Sequence, residues 1–138
     1  MATRISNATA IAACNAMVDL VDAGSGAGFV RIYTGSQPTD SDTAESGTLL
    51  VTITLQDPAF GAAADATPGG RATMAGTPSG TAVATGTAGY FRVYDSDENH
   101  LWDGSAGTGS EEMVLDSASI TSGQTVTINS FTHTQPES

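Results

Sequence analysis

Apolar and polar positions alternate most clearly from Gly89 to Gly104, Gly-Tyr-Phe-Arg-Val-Tyr-Asp-Ser-Asp-Glu-Asn-His-Leu-Trp-Asp-Gly. In an extended chain, Tyr90, Arg92 and Tyr94 fall on one face and Phe91 and Val93 on the other. Asp95 to Asn99 supply turn chemistry, and Leu101 and Trp102 restart the apolar pattern, so the stretch reads as a β-hairpin. Phe29-Val30-Arg31-Ile32-Tyr33 repeats the order aromatic, apolar, Arg, β-branched, Tyr, which two strands of one sheet explain. Leu49 to Leu55 alternates as a half-buried strand stopped by Asp57-Pro58. Glu112 to Leu115 reads as a short strand and Ile120 to Gln124 as a turn. Between Thr125 and Thr134 the apolar positions Val126, Ile128 and Phe131 shift by one across Asn129-Ser130, which predicts a bulged closing strand.

The helical period occurs at the other end of the chain. Residues 4–23 form the helix candidate, with Thr3 or Ser6 as N-cap and Ile11, Cys14, Val18 and Val21 as its apolar stripe. Asn15, Asp19 and Asp22 lie opposite, and Gly24 ends it. Ala8, Ala10, Ala12, Ala13 and Ala16 let this helix approach a sheet or a neighbouring chain closely. Gly24-Ser-Gly-Ala-Gly28 is not a dinucleotide-binding loop, because there the strand precedes the glycines and the helix follows, the reverse of the order here. Gly35 to Gly47 is a polar surface loop. Arg71 to Met74 and Thr81 to Gly86 are weak strands, poor in large apolar side chains, so about 61–89 is expected to be a flexible excursion or arm leaving the domain. One domain follows, residues 1–138, with a helix at 4–23 and a β-domain at 28–134. The fold class expected is mainly β, an antiparallel β-sandwich or jelly-roll-like domain with one N-terminal α-helix.

Composition narrows the functional classes. The chain of 138 residues is 39% apolar but only 6% aromatic and 14% charged, which makes a lean core with many turns. Fifteen acidic residues face four basic ones, all arginine (Arg4, Arg31, Arg71 and Arg92), for a net charge of −11. Such a charge repels phosphate backbones and anionic membranes, so neither nucleic acid nor membrane is an expected partner; a basic or neutral protein surface is. The start lacks the pattern of a signal peptide and no stretch has membrane-spanning length, so synthesis in a cytoplasm is expected. A single cysteine, Cys14, forms no internal disulfide. Neither His100 nor His133 has ligand spacing around it, no Gly-x-Ser-x-Gly elbow occurs, and Glu111 and Glu112 point apart in a strand, so no enzyme, cofactor or metal is expected. Asp95 to Asn99 begins like a calcium loop, but His100 stands where the sharp turn wants Gly and Ala106 where a bidentate Glu is wanted. Arg31 and Arg92 lie beside tyrosines on one strand face. Either each pairs with a carboxylate of its own chain, or the face is a contact surface of the Tyr- and Arg-rich kind. Candidate contact residues are Arg31, Arg71, Tyr90, Arg92 and Tyr94.

Several segments together resemble a group of small virion proteins of tailed bacteriophages. They are Thr-Arg-Ile-Ser-Asn with the Ala-rich helix ending Val-Asp-Leu-Val-Asp-Ala-Gly, Val-Arg-Ile-Tyr-Thr-Gly-Ser-Gln-Pro, Asp-Pro-Ala-Phe-Gly-Ala-Ala, and Phe-Arg-Val-Tyr-Asp-Ser-Asp with Leu-Trp-Asp-Gly. The resemblance implies a non-enzymatic structural protein, foremost a head decoration or cement protein. Such a protein would be made in the bacterial host cytoplasm and bind the major capsid protein on the capsid exterior as a homo-oligomer, a trimer being favoured. Two alternatives stay open, a tail, neck or fibre-associated virion protein, and a carbohydrate-binding β-sandwich using Trp102, Tyr90 and Tyr94 as a stacking platform.

Overall fold

A computed structural model describes residues 4–40, 42–65, 69–109 and 111–135. Thr3 as an alternative cap lies outside these residues. Helix α1 spans Asn7–Asp19 and tightens into a 3-10 turn, Leu20–Asp22. Ser6 caps it: its hydroxyl accepts the Thr9 N–H at 3.1 Å, satisfying one of the amides a helix start leaves without a partner. Ala10, Cys14 and Val18, then Val21, face inward. The Cys14 thiol donates to the carbonyl of His133 at 3.4 Å, and burial raises its pKa. That combination marks a small core side chain rather than a nucleophile.

The strands are β1 (Phe29–Thr34), β2 (Leu49–Thr54), β3 (Ala64–Asp65), β4 (Gly70–Thr73), β5 (Ser79–Thr81), β6 (Gly86–Tyr94), β7 (His100–Gly107), β8 (Met113–Leu115), β9 (Ser119–Ile120) and β10 (Thr125–Gln135). They form one sheet in the order β2-β1-β6-β7-β8-β10-β4-β3, with β5 on β10 and β9 on β6. All pairs are antiparallel except β7 with β8. The sheet curls: β5 pairs with β10 while the Val83 N–H just beyond it donates to Leu50 O at 2.7 Å, bringing the β2 edge round to β10. The protein is therefore mainly β with one N-terminal helix, and the curled sheet folds in a sandwich-like way over its own core.

That core is the inner face of each alternating strand: Val30, Ile32, Val51, Ile53, Phe91, Val93, Trp102, Met113, Ile128 and Phe131, with Val18 and Val21 of α1 packed on it. Helix α1 rests on β4 and β10. The hairpin at the centre is β6 with β7, in the register Val93↔Trp102. The bulge expected in the last strand falls between Ile128 and Ser130. It turns Phe131 to the same side as Ile128, which a regular strand would forbid over a spacing of three.

Two expectations are corrected. Residues 61–89 do not leave the domain where they are described: β4 and β5 are both paired with β10, and Ala72, Met74, Ala82 and Ala88 are buried. Small side chains here are a condition for close packing rather than a sign of a loose arm. Ser105 to Ser110 reads in the sequence as a Gly/Ser loop, but β7 continues through Ser105 and Ala106 to Gly107 and takes β8 in parallel. Among the described residues, no helix is long and apolar enough to cross a membrane.

Candidate functional site

Alternation along β1 and β6 puts Val30, Ile32, Phe91 and Val93 into the core and leaves Phe29, Arg31, Tyr33, Tyr90, Arg92 and Tyr94 on the opposite, outer face. The register sets Phe29 against Tyr94, Arg31 against Arg92 and Tyr33 against Tyr90. The first and last pairs stack, with centroids 5.1 Å apart at 13° and 5.2 Å apart at 16°. Two arginines directly opposite each other repel, so each needs an answering charge. Arg31 Nη2 donates to Glu98 Oε1 at 2.9 Å. Its guanidinium carbon lies 4.8 Å from the centroid of Tyr94 and 5.1 Å from that of Phe29, a cation–π arrangement. Arg92, only 3% exposed, has Glu45 Oε2 at 3.6 Å from Nη1 and Asp103 Oδ2 at 3.6 Å from Nε. These are ion pairs beyond hydrogen-bond length. Arg92 Nη2 also donates to the carbonyl of Thr43.

Glu45 and Thr43 come from the connection between β1 and β2. Adjacent antiparallel strands need only a tight turn, yet the described residues of this connection, 35–40 and 42–48, fold back over the outer face as a strap. The Tyr90 hydroxyl donates to Ser46 O at 2.6 Å and accepts the Ser46 N–H at 2.9 Å. Gln37 Nε2 donates to Asp103 Oδ1 at 2.9 Å. The Asp40 carboxylate accepts from the Thr43 N–H and hydroxyl, both at 2.9 Å, shaping the turn that aims the Thr43 carbonyl at Arg92. At the base, the Thr34 N–H donates to Thr48 O at 3.0 Å and the Thr48 N–H to Thr34 Oγ1 at 2.9 Å. Gly35 and Gly47 bracket the strap at φ 85° and 80°, a conformation that side chains resist.

Of the five contact candidates, the structure brings Arg31, Tyr90, Arg92 and Tyr94 together and leaves Arg71 elsewhere. Arg71 is exposed on β4, its Nε donating to Thr134 Oγ1 at 3.1 Å. The intramolecular alternative for Arg31 and Arg92 is the one observed. Tyr90, Arg92 and Tyr94 are buried beneath the chain's own cover, so the closed protein offers them to no partner. The carbohydrate platform is corrected on the same ground, because Trp102 lies on the inner face against Phe60, Phe131 and His133. Sequence reasoning missed Thr43, Glu45, Ser46, Gln37 and Asp103; the one available signal was an overlong, acidic connection between two strands read as neighbours.

The turn after β6 is held by Asp95, whose carboxylate accepts the Asp97 and Asn99 N–H groups and Asn99 Nδ2, each at 2.9 Å. These bonds, those from Asn99 foremost, hold its pKa below the ordinary value. Its oxygens are thereby committed to the turn rather than to a cation.

His133 of β10 lies 5.2 Å from Trp102, ring to ring, and burial lowers its pKa from 6.5. A lowered histidine pKa means that the native state prefers the neutral ring. This contribution is complete above 6.5 and is lost as pH falls through the folded value. The urea midpoint is therefore expected to drop between about pH 7.5 and about pH 5.5, and His133→Gln to flatten that step, with Trp102 fluorescence as the reporter. The difference between the two proteins isolates the histidine from Glu112 and Asp22, whose carboxyl pKa values burial raises and which act with the opposite sign. Equal pH slopes in both proteins would refute the assignment.

Compared with protein-family models, curated proteins and solved structures, the chain matches none.

Proposed function

We propose that this protein is a non-enzymatic structural component of a tailed-bacteriophage particle, a decoration protein that binds the outside of the major capsid lattice. The observation that carries the reading is where the virion-like segments fall. Val-Arg-Ile-Tyr-Thr-Gly-Ser-Gln-Pro is β1 and the start of the strap, Phe-Arg-Val-Tyr-Asp-Ser-Asp is the outer part of β6 with its turn, and Leu-Trp-Asp-Gly lies in β7. With the helix segment of α1 and Asp-Pro-Ala-Phe-Gly-Ala-Ala after β2, the resemblance runs from the N-terminal helix to the central hairpin, and its β1, β6 and β7 segments lie on adjacent strands.

Physical chemistry supports a cementing role. A ligand that binds only the expanded shell stabilises it by mass action, and symmetric oligomers, trimers at local three-fold positions in this reading, multiply modest contacts through avidity. A net charge of −11 favours basic or neutral patches on the shell and predicts attachment that weakens with salt. The decisive experiment is co-sedimentation of the purified protein with phage heads stripped of accessory proteins, counting copies per particle. Saturation at hundreds of copies, in a simple ratio to the shell protein, is the expected result. A few copies per head, or binding to tails alone, would move the protein to the neck, tail or fibre, the second reading that the same resemblance allows.

A further inference from the structure

We propose that the outer face of β4 and β10 around Arg71 is the surface through which one copy of this chain grips a carboxylate on a neighbouring copy. The register puts Arg71 in the middle of that face, with Ala64 of β3 directly opposite on one side and Thr134 of β10 on the other. The next row is Thr73 against Thr132. Ala64, Arg71, Thr73 and Thr134 are exposed, and Thr132 is half-buried. Gly70 and Ala72 alternate to the other face, where both are buried and Gly70 abuts the backbone of Ile11 in α1. Asp65, opposite Gly70, falls on that other face as well, so the rows around Arg71 hold no carboxylate. Small side chains around one long cation make a flat surface with a single charged anchor, and arginine anchors of this kind carry much of the energy of an interface.

Charge identifies the occupant. Arg31 is answered by Glu98, and Arg92 by Asp103 and Glu45. Arg71 has no ion pair among the described residues: its Nε donates to Thr134 Oγ1 at 3.1 Å, which leaves both terminal nitrogens for an acceptor from outside. Those nitrogens form the fork that a carboxylate fits. A shell surface that attracts a chain of net charge −11 is itself basic or neutral and offers an arginine little to pair with, whereas a second copy displays fifteen acidic residues against four basic ones. Such copies repel one another, so a contact between them gains most where a cation of one meets an anion of the next. Meeting through the same patch would set Arg71 against Arg71 with no carboxylate in either patch. The contact is therefore heterologous, this face against a different, acidic surface, and a contact of that kind builds a ring when its rotation closes. The inference rests on the homo-oligomer of the proposed function and names the residue that holds it together.

Sedimentation velocity of the purified full chain, over a concentration series at low salt, tests this directly. The unaltered protein is expected to form a closed oligomer, and Arg71→Gln to weaken its association at least about tenfold. The difference between the two should shrink in about 0.5 M salt. Arg4→Gln is the control, because Arg4 is also exposed and its loss changes the net charge by the same amount; it is expected to leave the association as it was. Since Arg71 is exposed, the urea midpoint of Arg71→Gln should match that of the unaltered protein, which separates a lost contact from a damaged fold. An unaltered protein that stays monomeric throughout the series would overturn the proposal, and so would an Arg71→Gln protein that associates normally. Equal weakening by both substitutions would also overturn it, because overall repulsion rather than a contact would then be at work. Counting copies on stripped heads keeps the two readings apart: a monomer that decorates heads sinks this contact and leaves the capsid reading standing, whereas an Arg71-dependent oligomer that ignores heads does the reverse.

Discussion

Replacing Phe131 by alanine is expected to cost about 3–5 kcal/mol of folding stability, a large share of the roughly 5–15 kcal/mol a domain of this kind possesses. Phe131 is fully buried. Its ring meets Phe91 edge-on at 4.8 Å, Phe60 at 5.2 Å and Trp102 at 6.2 Å. Those partners come from β6, the segment after β2, and β7, so one side chain ties the closing strand to the central hairpin. Aromatic residues are only 6% of the chain, and few large neighbours can move in to fill the space left behind. Edge-to-face geometry adds about 0.5–1.5 kcal/mol per aromatic pair beyond area burial. Urea unfolding followed by Trp102 fluorescence measures the loss directly, because Trp102 borders the cavity. A loss below about 1.5 kcal/mol would mean that the core closes over the site, and the account of Phe131 as its keystone would be wrong.

The elements built on a strong period were legible in the sequence. Ser6, Cys14 and Val18 defined α1, Val51 and Ile53 defined β2, and the one-residue shift between Ile128 and Phe131 announced the bulge. Residues 61–89 were not legible, because Gly, Ala and Thr carry almost no hydrophobic signal. Their burial depends on neighbours distant in sequence, such as Ala72 against α1 and β10, and Ala82 beside the β2 edge. The parallel pairing of β7 with β8 is likewise set by how the sheet curls, not by local pattern. For the candidate site, the Tyr and Arg face was readable from alternation, whereas its cover was not. Three of the strap's anchors are backbone groups, the Thr43 carbonyl and both peptide groups of Ser46. Main-chain atoms have the same chemistry at every residue and leave no mark in a sequence.

Removing the Arg92 guanidinium should be the second most damaging single change, with Arg92→Met expected to cost about 3 kcal/mol or more. The reason is asymmetry. The Arg92 and Asp103 side chains are each 4% exposed, so deleting one charge leaves the other in a medium that solvates it poorly. The Arg31–Glu98 pair is shorter, at 2.9 Å, but its side chains are 28% and 68% exposed. Solvent and salt screen it, and its expected coupling is about 1 kcal/mol or less. Distance alone would rank the two pairs the other way, and burial reverses the order. Double-mutant cycles on Arg92→Met with Asp103→Asn, and on Arg31→Met with Glu98→Gln, test that reversal, the first expected to couple by about 1.5 kcal/mol or more and to persist in about 1 M salt. If the exposed pair couples more strongly, Arg92 is not a buried countercharge, and the strap is fastened chiefly by Tyr90 and by the Gln37–Asp103 bond. If the order holds, the strongest electrostatic tie on the outer face runs between β6 and β7, with Glu45 of the strap added at 3.6 Å as the more exposed member. Arg92 is thus compensated from within the sheet by Asp103, and Glu45 adds to a pair that already exists.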